Sequence, residues 1–207
     1  IGTTNRNSNI ILNKVYNAGT IYSNAISNEG YNASSGGLIG QTWYSNVKIL
    51  NSFNYDASNI TGYGNTGGLV GGVGYDTIKI INCYNFGDVT SLSSYVSGIA
   101  RMISTAVSIK FNNVYNAGNV NGPTKAGISF ATSGISTDKI ILSNAYYLNN
   151  VANGVNGETS LNSLTTPMNE SDMKSSTFVN TLNTNVENID LSEIDSSLSD
   201  YTLSKWK

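Results

Sequence analysis

An aromatic residue returns along this chain at Phe53, Tyr84, Tyr115 and Tyr146, each 31 residues after the last, with Tyr16 a further 37 residues upstream. Self-similarity at a fixed period means stacked structural repeats, each burying its apolar face against its neighbours. Other columns keep the same step. Six residues before the aromatic stand Ile10, Val47, Ile78, Ile109 and Ile140; four before it, Leu12, Ile49, Ile80, Phe111 and Leu142. One before it come the small residues Val15, Ser52, Cys83, Val114 and Ala145. Two after it come Ala18, Tyr55, Phe86, Ala117 and Leu148. Apolar positions two apart share one face of a strand, so the −6 and −4 columns read as inward-facing. The residue between them, Lys48, Lys79 or Lys110, is expected to face solvent.

A second signal lies half a repeat away, where Gly36-Gly37-Leu38, Gly67-Gly68-Leu69, Gly98-Ile99 and Gly127-Ile128 each set glycine before an aliphatic residue. Glycine there suits a tight corner or a close approach of backbones. Two or more short strands per repeat, separated by Gly/Asn/Ser turns, make an all-β chain: a parallel β-helix, or β-solenoid, of about five three-sided rungs spaced about 4.8 Å apart. The six extra residues of the first repeat are placed within Tyr22 to Ala33 as an outward loop. Asparagine is the commonest residue, with 31 copies. Its −2 column (Asn51, Asn82, Asn113, Asn144) and +1 column (Asn17, Asn54, Asn85, Asn116) are candidate turn residues able to hydrogen-bond from rung to rung.

The runs Asn82-Cys83-Tyr84-Asn85-Phe86-Gly87-Asp88-Val89, Val114-Tyr115-Asn116-Ala117-Gly118-Asn119-Val120 and Gly67-Gly68-Leu69-Val70-Gly71 resemble the GLUG-motif repeats of bacterial surface proteins. Such repeats occur in adhesins and in secreted proteins that include immunoglobulin-A-cleaving metallopeptidases. The resemblance covers residues 1–157 and implies a right-handed coil, a bacterial parent and a secreted or cell-surface location. The fourth repeat departs from it at Ser129 and Phe130, and the fifth at Tyr147, as a terminal rung would. Ile1-Gly2 precedes Tyr16 much as Ile39-Gly40 precedes Phe53, so the chain is expected to begin inside a coil, with further coils upstream and an uncapped first rung.

After Gly157 the period stops. Residues 1–157 carry eight basic and five acidic side chains, whereas 158–207 carry three and eight. Asn169 before Glu170 and Asp172, with Met168 and Met173 as a staple, reads as the start of a helix over about 170–183. Its stripe Met173, Phe178, Val179 and Leu182 is expected to lie over the last rung, and the acids from Glu187 to Asp200 to form a solvated tail without the spacing of a calcium loop.

Chemistry narrows by exclusion. With no histidine, imidazole-based triads and zinc signatures fall away. The lone Cys83 sits in an inward column and reads as a small buried hydrophobe. Glycine-Lys-Ser/Thr phosphate loops and calcium nonapeptides are missing, and a net charge of −2 offers no nucleic-acid footprint. No apolar run reaches a membrane span, and no cofactor is implied. A polysaccharide-cleaving enzyme would need two carboxylates; Asp76 and Asp138, equivalent positions two rungs apart, are the pair to consider, while Asp56 and Asp88 fall out of phase. The favoured reading is a non-catalytic, monomeric adhesion segment meeting a surface protein or glycan through turn aromatics: Trp43, Tyr44, Tyr63, Tyr75 and Tyr95, with Tyr22 and Tyr31 also outside the core columns. A rigid spacer is the alternative. Ice binding lacks its Thr-x-Thr column.

Overall fold

The computed structural model describes residues 1–24, 33–102, 108–131 and 137–207. The expected loop between Tyr22 and Ala33, and Tyr31 with it, falls at 25–32, outside the described residues.

The chain winds through four stacks of parallel strands, a β-solenoid with a few short helices. The broadest stack holds Asn9–Asn13, Asn46–Leu50, Thr77–Asn85, Ser108–Asn116, Ile140–Leu148 and Thr165–Met168. The second runs Ile21–Ser23, Ile60–Gly62, Val89–Ser91 and Val120–Asn121, and the third Ser34–Gly36, Asn65–Gly67, Tyr95–Ser97 and Thr124–Ala126. The fourth holds Ile39–Trp43, Val70–Gly74, Ala100–Met102, Ser129–Phe130 and Val155–Asn156. The coil thus has four strand stacks where three sides are expected from the repeat length. The fourth side comes from a short bend between the second and third stacks, at Tyr63-Gly64, Leu92-Ser93-Ser94 and Gly122-Pro123 in successive coils.

Register follows the 31-residue step, pairing Val47 with Ile78, Ile78 with Ile109 and Ile109 with Ile140. All four are buried, as are Ile49, Ile80, Phe111 and Leu142, so like side chains pile up inside the coil. Across the core, the glycine column meets the +1 asparagines: a Cβ on Gly68 would lie 2.6 Å from Asn85 Cγ, too close for any side chain. The asparagines themselves form a buried relay in which Asn17, Asn54 and Asn85 each donate Nδ2 to the next Oδ1, at 2.8, 2.8 and 2.6 Å, ending on Asn116. On the next coil the buried ring of Tyr147 takes the asparagine's place beneath Gly127.

The C-terminal segment behaves differently from the expectation. The helix expected over 170–183 is two: Glu170–Met173 and Ser176–Glu187, broken where Ser175 Oγ accepts from Phe178 N at 3.1 Å. The end of the coil is instead closed by Thr165–Met168, paired with Ala145–Leu148, after the short helix Thr159–Asn162. The longer helix lies along the side of the broad stack, its Phe178 and Leu182 buried with Tyr115. Beyond it, residues 189–207 form a strap whose Leu191 and Leu198 cover Leu50 and Ile81.

The strap overturns the expected solvent-facing position of Lys48 and Lys79, whereas the acidic tail is solvated as expected at Glu187, Asp190, Glu193 and Asp200 and departs from the expectation at Asp195. Lys48 is buried and Lys79 mostly so, and both meet one carboxylate, Asp195, at 3.2 and 2.5 Å. Partial burial pushes the Asp195 carboxyl up, but hydrogen bonds from Lys79, Ser197 and Lys48 outweigh it and hold the group well below the usual carboxylate range. The physical reason is parity. Leu50 and Ile81 face outward beside the lysines, and such apolar area stabilises the fold only when covered.

Two outcomes follow from these contacts. Asn85→Ala removes both an acceptor and a donor from the buried relay, so it should cost about 3 kcal/mol in urea unfolding, since each orphaned buried partner costs about 1–3 kcal/mol. Because Asp195 has a depressed folded-state pKa, its contribution is present above the unfolded value of about 3.9 and is lost as pH falls through and below it. Asp195→Asn should therefore abolish a loss of stability seen below about pH 4 and cost about 2 kcal/mol at pH 7, between exposed and buried ion pairs; unchanged acid unfolding would refute the assignment.

Candidate functional site

Between the fourth stack and the next pass of the broad stack the chain turns through a left-handed residue. Asn7, Tyr44 and Tyr75 hold φ of 62°, 52° and 56° there. Left-handed backbone is strained for tyrosine, and the neighbouring coils hold it: Asn7 N donates to Tyr44 O at 2.8 Å and Tyr44 N to Gly74 O at 3.2 Å. Beneath the turn, Asp76 is buried and accepts from Thr42 Oγ1 at 2.6 Å, Gly74 N at 2.9 Å and Ser45 N. Burial pushes its carboxyl up while these bonds pull it down.

This turn projects an aromatic cluster. Tyr44 and Tyr75 stack with centroids 4.9 Å apart and planes 6° from parallel. Trp43 meets them edge-on at 5.7 and 5.1 Å, and the Arg6 guanidinium lies 5.5 Å from the Tyr44 ring centre. Tyr44 and Tyr75 remain 43% and 42% exposed. A groove of about 390 Å³ runs beside them, lined by Asn7, Ser8, Asn9, Asn46 and Thr77. Asn46 Oδ1 is cut off from solvent and has no hydrogen-bond partner. Exposed rings and a guanidinium can hold a ligand without reacting with it.

The other two expected residues lie apart from this cluster. Tyr63 sits in the bend between the second and third stacks, its N–H on Ser23 O and its carbonyl accepting from Ser93 Oγ. Tyr95 is in the third stack and packs on Phe130 at 4.4 Å. Arg101 lies 4.5 Å from the Tyr95 ring centre and 5.0 Å from that of Phe130. Burial lowers the Arg101 pKa to about 10 against a small opposing effect of Tyr95. Among the described residues no ring contact joins Tyr63 or Tyr95 to Trp43.

The 31-residue aromatic column forms a second surface. Unbroken alternation would turn it inward with the −6 and −4 columns. The −2 residue prevents this, because Lys14, Asn51, Asn82, Asn113 and Asn144 all adopt φ between 50° and 59° and kink the strand. Cys83 and its equivalents then point in, the aromatic out and the next asparagine in. The rings of Tyr16, Phe53, Tyr84 and Tyr115 stack outside the coil at 5.3, 4.6 and 5.2 Å, within 10° of parallel. Phe178 meets Tyr115 and Tyr146 edge-on, and Trp206 leans on Tyr84 and Tyr115. Burial pushes the Tyr84 phenol up to about 12, with smaller contributions from Tyr55 and Cys83. At the other end Tyr16 stays 62% exposed. The period marks this column in the sequence; its outward direction depends on the kink.

The carboxylates considered for glycan cleavage are dispersed in role. Both Asp76 oxygens are committed to the turn, whereas Asp138 is exposed in the 3-10 turn Thr137–Lys139. Asp56 is exposed, and Asp88 accepts from Asn119 N and Nδ2 at 2.9 Å. Among the described residues no group of three or more His, Cys, Asp or Glu is placed to hold a metal, and no helix is long and apolar enough to cross a membrane. No known family, curated protein or solved structure matches the chain.

Cys83 is fully buried, and burial pushes its thiol pKa up to about 12 despite hydrogen bonds at Ser52 and Ile81. Since only a thiolate reacts, alkylation by iodoacetamide at pH 8 should run at least about 100-fold slower in the native protein than in urea. Equal rates would show the column open to solvent.

Proposed function

We propose that this chain is a non-catalytic binding segment of a secreted or cell-surface bacterial protein, a right-handed coil of about five rungs that presents its turn aromatics to a surface protein or glycan. The carrying observation is the Trp43, Tyr44 and Tyr75 cluster, half exposed on a hydrogen-bonded scaffold beside Arg6. Large rings held rigidly lose little entropy on binding, which is why Tyr, Trp and Arg anchor recognition surfaces. A parallel crossover is almost always right-handed, and the likeness to GLUG repeats supports a surface-exposed parent. Tyr63 and Tyr95 are secondary in this reading, since the cluster excludes them.

The alternative is a rigid spacer, favoured by the asparagine relay that ties successive coils together. Retention on a coated plate separates the two. The protein should capture glycans or matrix proteins from an array, and the double variant Tyr44→Asn, Tyr75→Asn, which keeps residues tolerant of left-handed backbone, should lower capture at least about tenfold. A spacer would capture nothing above background and be indifferent to the exchange.

A further inference from the structure

The strap leaves a groove of about 430 Å³ beside the outward aromatic ladder, and its chemistry differs from that of the Trp43 cluster. Phe53, Tyr84, Phe86, Tyr115 and Trp206 supply its aromatic lining; Phe86 is 39% exposed and turned 72° from Tyr84, so it stands outside the stack. Lys14 lines one end, because it occupies the left-handed −2 position that other coils give to asparagine. Among the described residues no Asp or Glu side chain lines the groove. The Lys205 ammonium is already paired with Glu187 at 2.5 Å. The Trp206 indole N–H is buried with no acceptor, although buried donors are almost always paired.

We propose that this groove is a second binding site, for a carboxylate-bearing saccharide such as a hexuronate unit. Each part of that ligand answers one feature. Its carboxylate matches the Lys14 ammonium, and its C–H face packs on the exposed aromatic surface. A neutral sugar leaves Lys14 unmatched, and an inorganic anion leaves the rings bare. A peptide fits less well because the groups that would read its backbone are already engaged by the strap: Asn51 Nδ2 donates to Thr202 O at 3.0 Å, Asn82 Nδ2 to Ser204 O at 2.9 Å, and Ser204 N to Asn51 Oδ1 at 2.8 Å. The site stands whether or not the Trp43 cluster binds anything, since the two share no lining residue.

The chain has two tryptophans, so Trp43→Phe isolates Trp206 as a fluorophore. In that background, oligogalacturonate should give a saturable change in Trp206 emission and shift the indole N–H resonance. A neutral galactose oligomer of equal length, sodium sulfate at equal ionic strength and an acidic aromatic peptide should not. Lys14→Gln, at an exposed residue, should weaken binding about fivefold, and raising salt from 0.05 to 0.5 M about tenfold. Phe86→Ala, at an exposed ring of the groove, should weaken it while leaving the circular dichroism unchanged; if that variant unfolds, the Lys14 variant and the salt series still decide. Equal responses to the neutral oligomer, to sulfate or to the peptide overturn the proposal, as does silence of the Trp206 signal at millimolar uronate. Repeating the titration with Tyr44→Asn, Tyr75→Asn should leave it unchanged, so failure here and failure of the turn cluster are read separately.

Discussion

The left-handed residue two before each aromatic, Lys14 in the first coil and asparagine in the others, is the constraint on which the rest of the broad face depends. A strand carries side chains alternately to its two faces, and one residue at positive φ breaks the alternation. At Asn51, Asn82 and Asn113 that break sends the aromatic outward and the following asparagine inward. The outward rings become a ladder on which Phe178 and Trp206 rest, and the inward amides become the relay opposite the glycine column. The kinked residues do further work: Asn113 and Asn82 each donate to the kinked asparagine of the preceding coil, at 2.9 and 2.8 Å, so the strain is spread over bonds that each coil helps to make.

The lateral strap illustrates how an ion pair and apolar burial act together. An exposed pair adds little, because solvent screens it and two long side chains must be immobilised. Here Leu191 and Leu198 cover Leu50 and Ile81, and the same coverage dries the ground on which Lys48 and Lys79 meet Asp195. Once the lysines are covered, one carboxylate between them is required, since an unpaired buried ammonium is strongly unfavourable. The strap also decides how much of the ladder is covered: Trp206 leans on Tyr84 and Tyr115, while Tyr16 stays open.

The apolar columns were legible because burial repeats with the coil. Ile78, Ile109 and Ile140 had to share one environment once their spacing equalled the repeat. Trp43, Tyr44 and Tyr75 could be named as non-core aromatics, but separating them from Tyr63 and Tyr95 required knowing where four stacks turn, which spacing does not encode. The strap was legible in one respect that period counting passes over: Leu50 and Ile81 are apolar at outward positions beside lysines, a pattern that calls for a cover.

What sequence alone determined is the stacking itself, since identical residues at a constant step can be buried together only by lying over one another in parallel strands. Tertiary structure decided which way the aromatics face, which acid meets the lysines and where a ligand could enter. Those outcomes turn on single backbone angles and on contacts between segments more than 100 residues apart, such as Lys79 with Asp195. A repeat period carries no information about either.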